Sequence, residues 1–429
     1  MFSFSKKLKK ARIVEPSVED IWQSVSVFLK ENPLREFKGV KSGDPLEVET
    51  NNKGRFVRFS LQCESSFHLD AIEIFNKDGR NIAPNKNTII SSVYNDEEKY
   101  NGQGVINRKK NGGCGFHTKR EHNPWLVIDL GSIRNLDKII IYNREGEYFT
   151  RALSLKIESS TDLRHWKPIY DNWAALKNYK NGDYTEYERA LLHAGILNPG
   201  PPSALIKSLK KAGKTEEALA LHQQINQLVA DKGVAFGPHG FMQTFDLKSD
   251  NEKTKVFKEL SKVLTWLNEG FGVPAFVSSG TLLGLYRDGQ LIGHDDDVDI
   301  CYISNQTTEP AILKEREELM AFLIDKGCRT APSGIAHHWC TTPGGQSLDI
   351  FCGFIEGEKC SMNPLERNVI NKSDVLPLET KKIADVNIYF PNNPEPLMVV
   401  NYGPNWRQPD PLWTFDWSKA KKQYAFLYF

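Results

Sequence analysis

Residues 280–303 read GTLLGLYRDGQLIGHDDDVDICYI, and the acidic run within them is where candidate chemistry concentrates. The alternation near its end predicts a strand on which Asp297 and Asp299 face one way while Val298 and Ile300 face the other. Two carboxylates about 4 Å apart repel by roughly 4 kcal/mol at an effective dielectric of about 20, so such a pair calls for a proton, an arginine or a metal between its members. Oxygen-only ligands with open positions favour Mg²⁺ or Mn²⁺, which leave room for substrate phosphates. A third carboxylate is expected from a neighbouring strand in QSLDIFCGF (346–354), where Asp349 interrupts an apolar run and Leu348 and Ile350 pack. Asp295 is expected on the same side as Asp297, as a further ligand or as the base that takes an acceptor proton, with Asp296 pointing away. A solvated turn is the alternative for any acidic run; the position after GTLLG and before an apolar strand favours the metal.

Gly280 and Thr281 fall where a strand turns into a helix. Small residues there let backbone N–H groups approach phosphate oxygens, and a helix N-terminus favours negative charge. Arg287, near the end of that helix, is a candidate for a donor phosphate, with an exposed surface arginine as the alternative. Tyr402 and Trp406 are candidates to stack on a nucleotide base or sugar, set against a packed C-terminal corner. His337 and His338 fit structural hydrogen bonding better than a base role. A zinc site drawing on His337, His338, Cys340, Cys352 and Cys360 lacks the close pairs such sites use.

The elements that must carry these residues follow from periodicity. Val256, Leu260, Val263, Leu264 and Leu267 share one face of a helix that Gly270 is expected to end, and VPAFVSS (273–279) reads as the next strand. A G-T turn, a helix, an acidic D-h-D strand and a later strand aspartate form the nucleotidyltransferase arrangement. More narrowly, GTLLGLYRDGQLIGHDDDVDI, LDIF and NYGPNWRQP (401–409) resemble the LicD and fukutin-related family, with Tyr402, Gly403 and Trp406 in its closing element. His294 departs from the tryptophan usual in relatives, which bears on the substrate channel. The resemblance spans about residues 256–415. It implies metal-dependent transfer of a phospho-alcohol, such as phosphocholine, glycerol phosphate or ribitol phosphate, from a CDP-activated donor to a glycan hydroxyl, with CMP leaving. It also implies Asp297, Asp299 and Asp349 as the Mg²⁺ or Mn²⁺ ligands.

Between about residues 40 and 175 the period changes to two, in FVRFSLQC, HLDAIEIF, WLVIDLG, KIIIYNR and LSLKIESS, and predicts an antiparallel β-sandwich. NPWLVIDLG (123–131), IIIYNR (139–144) and LKIESSTDLRHW (155–166) resemble the discoidin, or coagulation-factor C-type, family. That resemblance implies carbohydrate or lipid head-group binding by loops at one end, or a purely architectural domain; His117, Lys119, Arg120 and Arg144 are the candidate surface residues. Residues 17–30 predict a helix with Ile21, Val25 and Phe28 on one stripe. After the breaker NPGPP (198–202), two helices are expected, stopped by Gly213 and Gly233 and resembling a tetratricopeptide-type hairpin that connects or oligomerises.

The expected architecture is therefore multidomain: a basic tail and helix (1–39), a discoidin-like antiparallel sandwich (40–175), a helical connector (176–250) and an α/β nucleotidyltransferase-like mixed-sheet domain (251–429). The 55 basic and 54 acidic side chains of the 429-residue chain nearly cancel, which excludes a whole-molecule field for nucleic acid. No apolar run reaches the ~20 residues that span a bilayer, and no leader pattern opens the chain, so a cytoplasmic protein is expected. The basic segment FSFSKKLKKAR (2–12) suits peripheral contact with an anionic inner membrane face, against a solvated tail. Seven irregularly spaced cysteines suit reduced, packed thiols. Nucleotidyl transfer to the acceptor, and a glycan-binding scaffold with an inactive transferase domain, are the competing readings.

Overall fold

The computed structural model describes residues 17–107, 109–145 and 147–428, so the basic segment 2–12 lies outside the described residues. The chain divides between Val229 and Ala230 into two compact units. Among the described residues, no helix is long and apolar enough to cross a membrane.

The N-terminal unit opens with helix α1 (Val18–Glu31), started by a capping box in which the Ser17 hydroxyl accepts from the Asp20 N–H and the Asp20 carboxylate accepts from the Ser17 N–H. Strands β1 (Leu46–Glu49), β2 (Lys53–Leu61), β3 (Ala71–Phe75), β4 (Asn87–Ile90), β5 (Trp125–Asn135), β6 (Lys138–Tyr142), β7 (Leu155–Ser160) and β8 (Trp166–Asp171) follow. They pair antiparallel in two sheets, β8-β7-β2-β5-β4 and β1-β6-β3. Alternate residues from both sheets, including Phe59, Leu126 and Ile157 from one and Val48, Ile74 and Ile139 from the other, meet in a single apolar core. Helices α2 (Glu186–Gly195), α3 (Gly200–Lys211) and α4 (Thr215–Val229) complete the unit; Gly213, at φ +74, makes the turn between α3 and α4.

Residues 235–242 are a hairpin, Ala235–Gly237 with Gly240–Met242, where a helical stretch to residue 250 is expected from composition. It belongs to the C-terminal unit. There helix α5 (Asp250–Thr265), capped by Ser249 and Glu252, buries Val256, Leu260, Val263 and Leu264. The helix does not stop at Gly270. It runs on through a wider turn, Trp266–Phe271, and ends at Gly272, whose φ of +88 suits glycine. Gly270 serves instead as a close-packing residue, since a Cβ there would lie 2.9 Å from the Phe322 ring.

Strand β9 (Ala275–Val277), helix α6 (Ser279–Arg287), strand β10 (Asp299–Ile303), helix α7 (Glu309–Asp325) and strands β11 (Arg329–Pro332), β12 (His338–Thr341), β13 (Ser347–Glu356) and β14 (Lys359–Met362) then build a mixed sheet in the order β9-β10-β13-β12-β11, with β14 also on β13. Only the β10–β13 pairing among these is parallel. Helices α8 (Pro394–Tyr402) and α9 (Trp417–Gln423) close the unit. Cys301, Cys328, Cys340, Cys352 and Cys360 are buried here as free thiols.

Candidate active site

The acidic residues converge through backbone register. β10 is parallel to β13 with Asp299 opposite Asp349, and the Asp349 N–H donates to the Val298 carbonyl at 2.8 Å, so the two side chains must share a sheet face. The strand begins only at Asp299, and Asp297 lies in the segment before it, not beside Asp299 on one strand as the alternation predicts. Backbone latches account for this: the Asp246 N–H donates to the Gly293 carbonyl and the Phe245 N–H to the Asp295 carbonyl, each at 2.8 Å, which draws residues 293–295 toward the hairpin side before the ladder starts. Asp297, Asp299 and Asp349 nevertheless present carboxylate oxygens within 4.8 Å of one another.

The strand-to-helix turn is built around Asp299. Ser279 begins α6 at φ +43, a left-handed conformation a non-glycine residue seldom adopts. The Gly280 N–H donates to Asp299 Oδ2 at 3.0 Å, and the Asp299 N–H donates to the buried Thr281 hydroxyl at 2.9 Å. A Cβ at Gly280 would stand 2.5 Å from Asp295 Oδ2, so only glycine lets the helix start lie against the carboxylates. The Gly280 N–H, expected to approach phosphate, and the Thr281 hydroxyl both hold the acidic strand.

Asp296 turns to His239, whose Nδ1 is 3.0 Å from Asp296 Oδ1 and 3.8 Å from Asp297 Oδ2. His239, Asp295 and Asp296 form a second cluster of potential ligands. Sequence reasoning missed His239: the dipeptide Pro238-His239 sits 56 residues from Asp295, and nothing in its own pattern ties it to the acids. His337 is 5 % exposed; its Nε2 lies 2.9 Å from Asp349 Oδ2 without meeting hydrogen-bond geometry, and its ring packs on Phe351 at 4.8 Å. His338 instead lies on β12, where burial holds its imidazole down at about 4. Among the described residues, the grouping His337, His338, Cys340, Cys352 and Cys360 does not assemble a metal cluster.

Burial, then mutual repulsion, pushes the Asp297 and Asp299 carboxyls well above the usual aspartate range; Asp295 is raised as well, with burial again the first cause. The Asp296 hydrogen bond, with Asp297 and Asp295 nearby, lifts the His239 imidazole to about 9. Among the described residues, no lysine or arginine forms an ion pair with Asp295, Asp297, Asp299 or Asp349. A crowded, largely enclosed oxygen-only set of this kind fits the donor preference of a hard divalent cation.

A cavity of about 650 Å³ opens on these carboxylates. Arg287 lines it with its side chain 11 % exposed, held by a fork on Asp288 (2.9 and 2.7 Å) and by the Trp406 carbonyl at 3.3 Å. Trp406 stacks on Tyr286 at 5.7 Å, carries the Arg407 guanidinium 4.2 Å above its ring, and has no protein partner for its indole N–H. Tyr402 faces the cavity against Trp413, ring to ring at 4.6 Å, and burial drives its hydroxyl well above the usual range. His294 also lines the cavity, and burial lowers its imidazole.

Residues 272–393, which hold the turn, both acidic strands, His337 and His338, match the family model described as LicD/FKTN/FKRP, nucleotidyltransferase domain. The C-terminal unit carries a LicD-type domain. Residues 88–193 match the F5/8 type C domain, so the N-terminal unit carries a discoidin domain. A comparison with curated proteins found no match. In the discoidin domain the candidate surface residues are engaged: Lys119 pairs with Asp96 at 2.9 Å, Arg120 with Glu64 at 3.2 Å, and His117 is buried with Nδ1 2.7 Å from the Thr118 carbonyl. Arg144 is partly buried, with its backbone N–H on the Asn143 side chain.

Proposed function

We propose that the LicD-type domain transfers a phospho-alcohol of the phosphocholine, glycerol phosphate or ribitol phosphate type from a CDP-activated donor to a hydroxyl of a surface glycan, releasing CMP. The observation that carries this reading is the parallel register of Asp299 with Asp349, which, with Asp297, gathers one buried and two partly buried carboxylates at the cavity. Asp297, Asp299 and Asp349 would hold Mg²⁺ or Mn²⁺, with Asp295 as a further ligand or as base. When bound, the cation supplies charge neutralisation and alignment for a donor diphosphate.

The chain's own residues divide the remaining work. Thr281 and the Gly280 N–H keep Asp299 aimed into the cavity, and the absence of a Cβ at residue 280 lets the Asp295 carboxylate lie against the start of α6. Arg287, clamped by Asp288, offers its remaining guanidinium surface to donor phosphate. Tyr402 and Trp406 line the cavity as partners for the nucleotide. His337, with Nε2 2.9 Å from Asp349 Oδ2 and its ring packed on Phe351, walls that side of the carboxylate cluster.

Incubation with a panel of CDP-alcohols and Mg²⁺ should release CMP, and EDTA should abolish release. Mass spectrometry of the glycan should show the mass of the phospho-alcohol. The matched family's nucleotidyltransferase description favours a second reading, transfer of the nucleotidyl group itself. A nucleotide mass on the acceptor would select it and sink the first.

A further inference from the structure

The cavity has a second chemistry that the carboxylates do not use. WTFDW (413–417) sets an aromatic side chain at every second residue. Through an extended segment such spacing brings side chains to one side. Tyr402 meets Trp413 at 4.6 Å, Trp413 meets Phe415 at 6.0 Å, and Phe415 meets Trp417 at 4.9 Å. The four rings form a continuous row, and each lines the cavity that also holds Asp297, Asp299 and Asp349. Tyr402, Phe415 and Trp417 pack against the unit's core, so apolar contacts fix these rings while the cavity reaches them. The row lies C-terminal to the 272–393 match.

We propose that this row, from Trp413 through Phe415 to Trp417 beyond its nucleotide-side end at Tyr402, is a subsite for a neutral oligosaccharide of several sugar units, the part of the acceptor chain beyond the unit that reacts. The inference rests on the carboxylate cluster being the transfer centre. Three features select a saccharide over other ligands. A single nucleobase covers one or two rings, whereas three rings in succession beyond Tyr402, at 6.0 and 4.9 Å, suit a ligand that itself repeats. Arg287 is the one lysine or arginine among the described residues lining the cavity, and His239 there is taken by Asp296, so little positive charge is left for a polyanionic chain. Asn405, Gln408 and Asp410 line the same cavity, and amides with a carboxylate are the donors and acceptors that hydroxyl-rich rings need.

The test is calorimetric titration of the full chain in Mg²⁺ with CMP, and separately with neutral glucose and N-acetylglucosamine oligosaccharides of one, two and four units. A tetrasaccharide from this panel should bind about tenfold or more tighter than its monosaccharide. Trp417→Ala should weaken that binding by about tenfold, Trp417→Tyr should restore most of it, and CMP affinity should change by less than about twofold. Phe415→Leu, which keeps apolar bulk for folding, should give an intermediate loss. The proposal is overturned if no saccharide in the panel binds, if binding is independent of length, or if Trp417→Ala weakens CMP as much as the saccharide, which would give the row to the donor. These titrations do not depend on turnover. A failure of every CDP-alcohol to release CMP would therefore count against the proposed transfer reaction alone.

Discussion

In the discoidin unit Glu158, on β7, is 5 % exposed, and Arg58 and Lys156 close on it at 2.6 Å each; in the LicD-type unit Asp299, on β10, is 8 % exposed and faces Asp297 and Asp349 instead. Burial pushes both carboxyls up. The hydrogen bonds from Lys156 and Arg58 more than offset this for Glu158, which ends below the usual range, while neighbouring carboxylates add to it for Asp299. The same contrast holds for Asp129, whose carboxyl is gripped at 2.8 Å by both nitrogens of an Arg55 fork, against Asp297. One unit buries acids as closed ion pairs that organise a sheet. The other crowds carboxyls on one another at a cavity, with the His239 imidazole against Asp296 and Asp297 and no lysine or arginine pairing with Asp295, Asp297, Asp299 or Asp349 among the described residues.

The largest expected effect tests that contrast directly. Asp299→Asn should cut CMP release by about a thousandfold, a loss of roughly 4 kcal/mol in barrier stabilisation, while raising the melting temperature of the metal-free protein. Its folded-state carboxyl is raised, so its stabilisation of the metal-free fold is present below about pH 4 and is lost as pH rises through the folded value. Thermal melts from pH 4 to 8 in EDTA should show that decline in the wild type, a smaller one in the variant, and recovery with Mg²⁺. A variant that turns over normally would remove Asp299 from the site.

Breaking the closed pair should act on stability instead. Arg58→Met leaves Glu158 with Lys156 alone and should cost about 2 kcal/mol in chemical denaturation of the discoidin unit. For Glu158 the sign is reversed: its lowered folded value gives stability that is present above about pH 4.3 and lost as pH falls through that value. Denaturation midpoints unchanged by Arg58→Met would show that the pair organises nothing.

Two smaller changes sharpen the comparison inside the site. Gly280→Ala forces a methyl group to 2.5 Å from Asp295 Oδ2, and should lower the rate about tenfold to a hundredfold, roughly 1–3 kcal/mol, with little loss of fold. Thr281→Val removes the acceptor of the buried Asp299 N–H and should destabilise the domain by about 1–2 kcal/mol, read by urea denaturation. A Thr281→Ser variant, which keeps the hydroxyl, should behave nearly as wild type.

The acidic half of this contrast was legible in the sequence, whereas the ion pairs of Glu158 and Asp129 were not, because their arginine partners lie on another strand. Asp299 and Asp349 were readable because each interrupts an apolar strand run, an expense that a soluble domain rarely bears without a partner for the charge. The strands were readable because β2 and β7 alternate in sequence while the isoleucines of β6, all three buried, read as an apolar run. The end of α5 was not, because Gly270 and Gly272 both suit a helix stop, and only packing against Phe322 and the left-handed φ distinguish their roles.

The residue types and their order determined that an anionic pocket would exist in the C-terminal half and that a glycine would lie against it, since charge and the space left by a missing Cβ belong to the residues themselves. Tertiary structure alone decided that Asp297 lies ahead of the strand, that Asp296 is taken by His239, that His337 reaches Asp349, and that Trp413, Phe415 and Trp417 join Tyr402 on one cavity wall. Most of these depend on contacts between segments distant in sequence, set by latches such as Phe245 to Asp295, and no local pattern encodes where such segments meet.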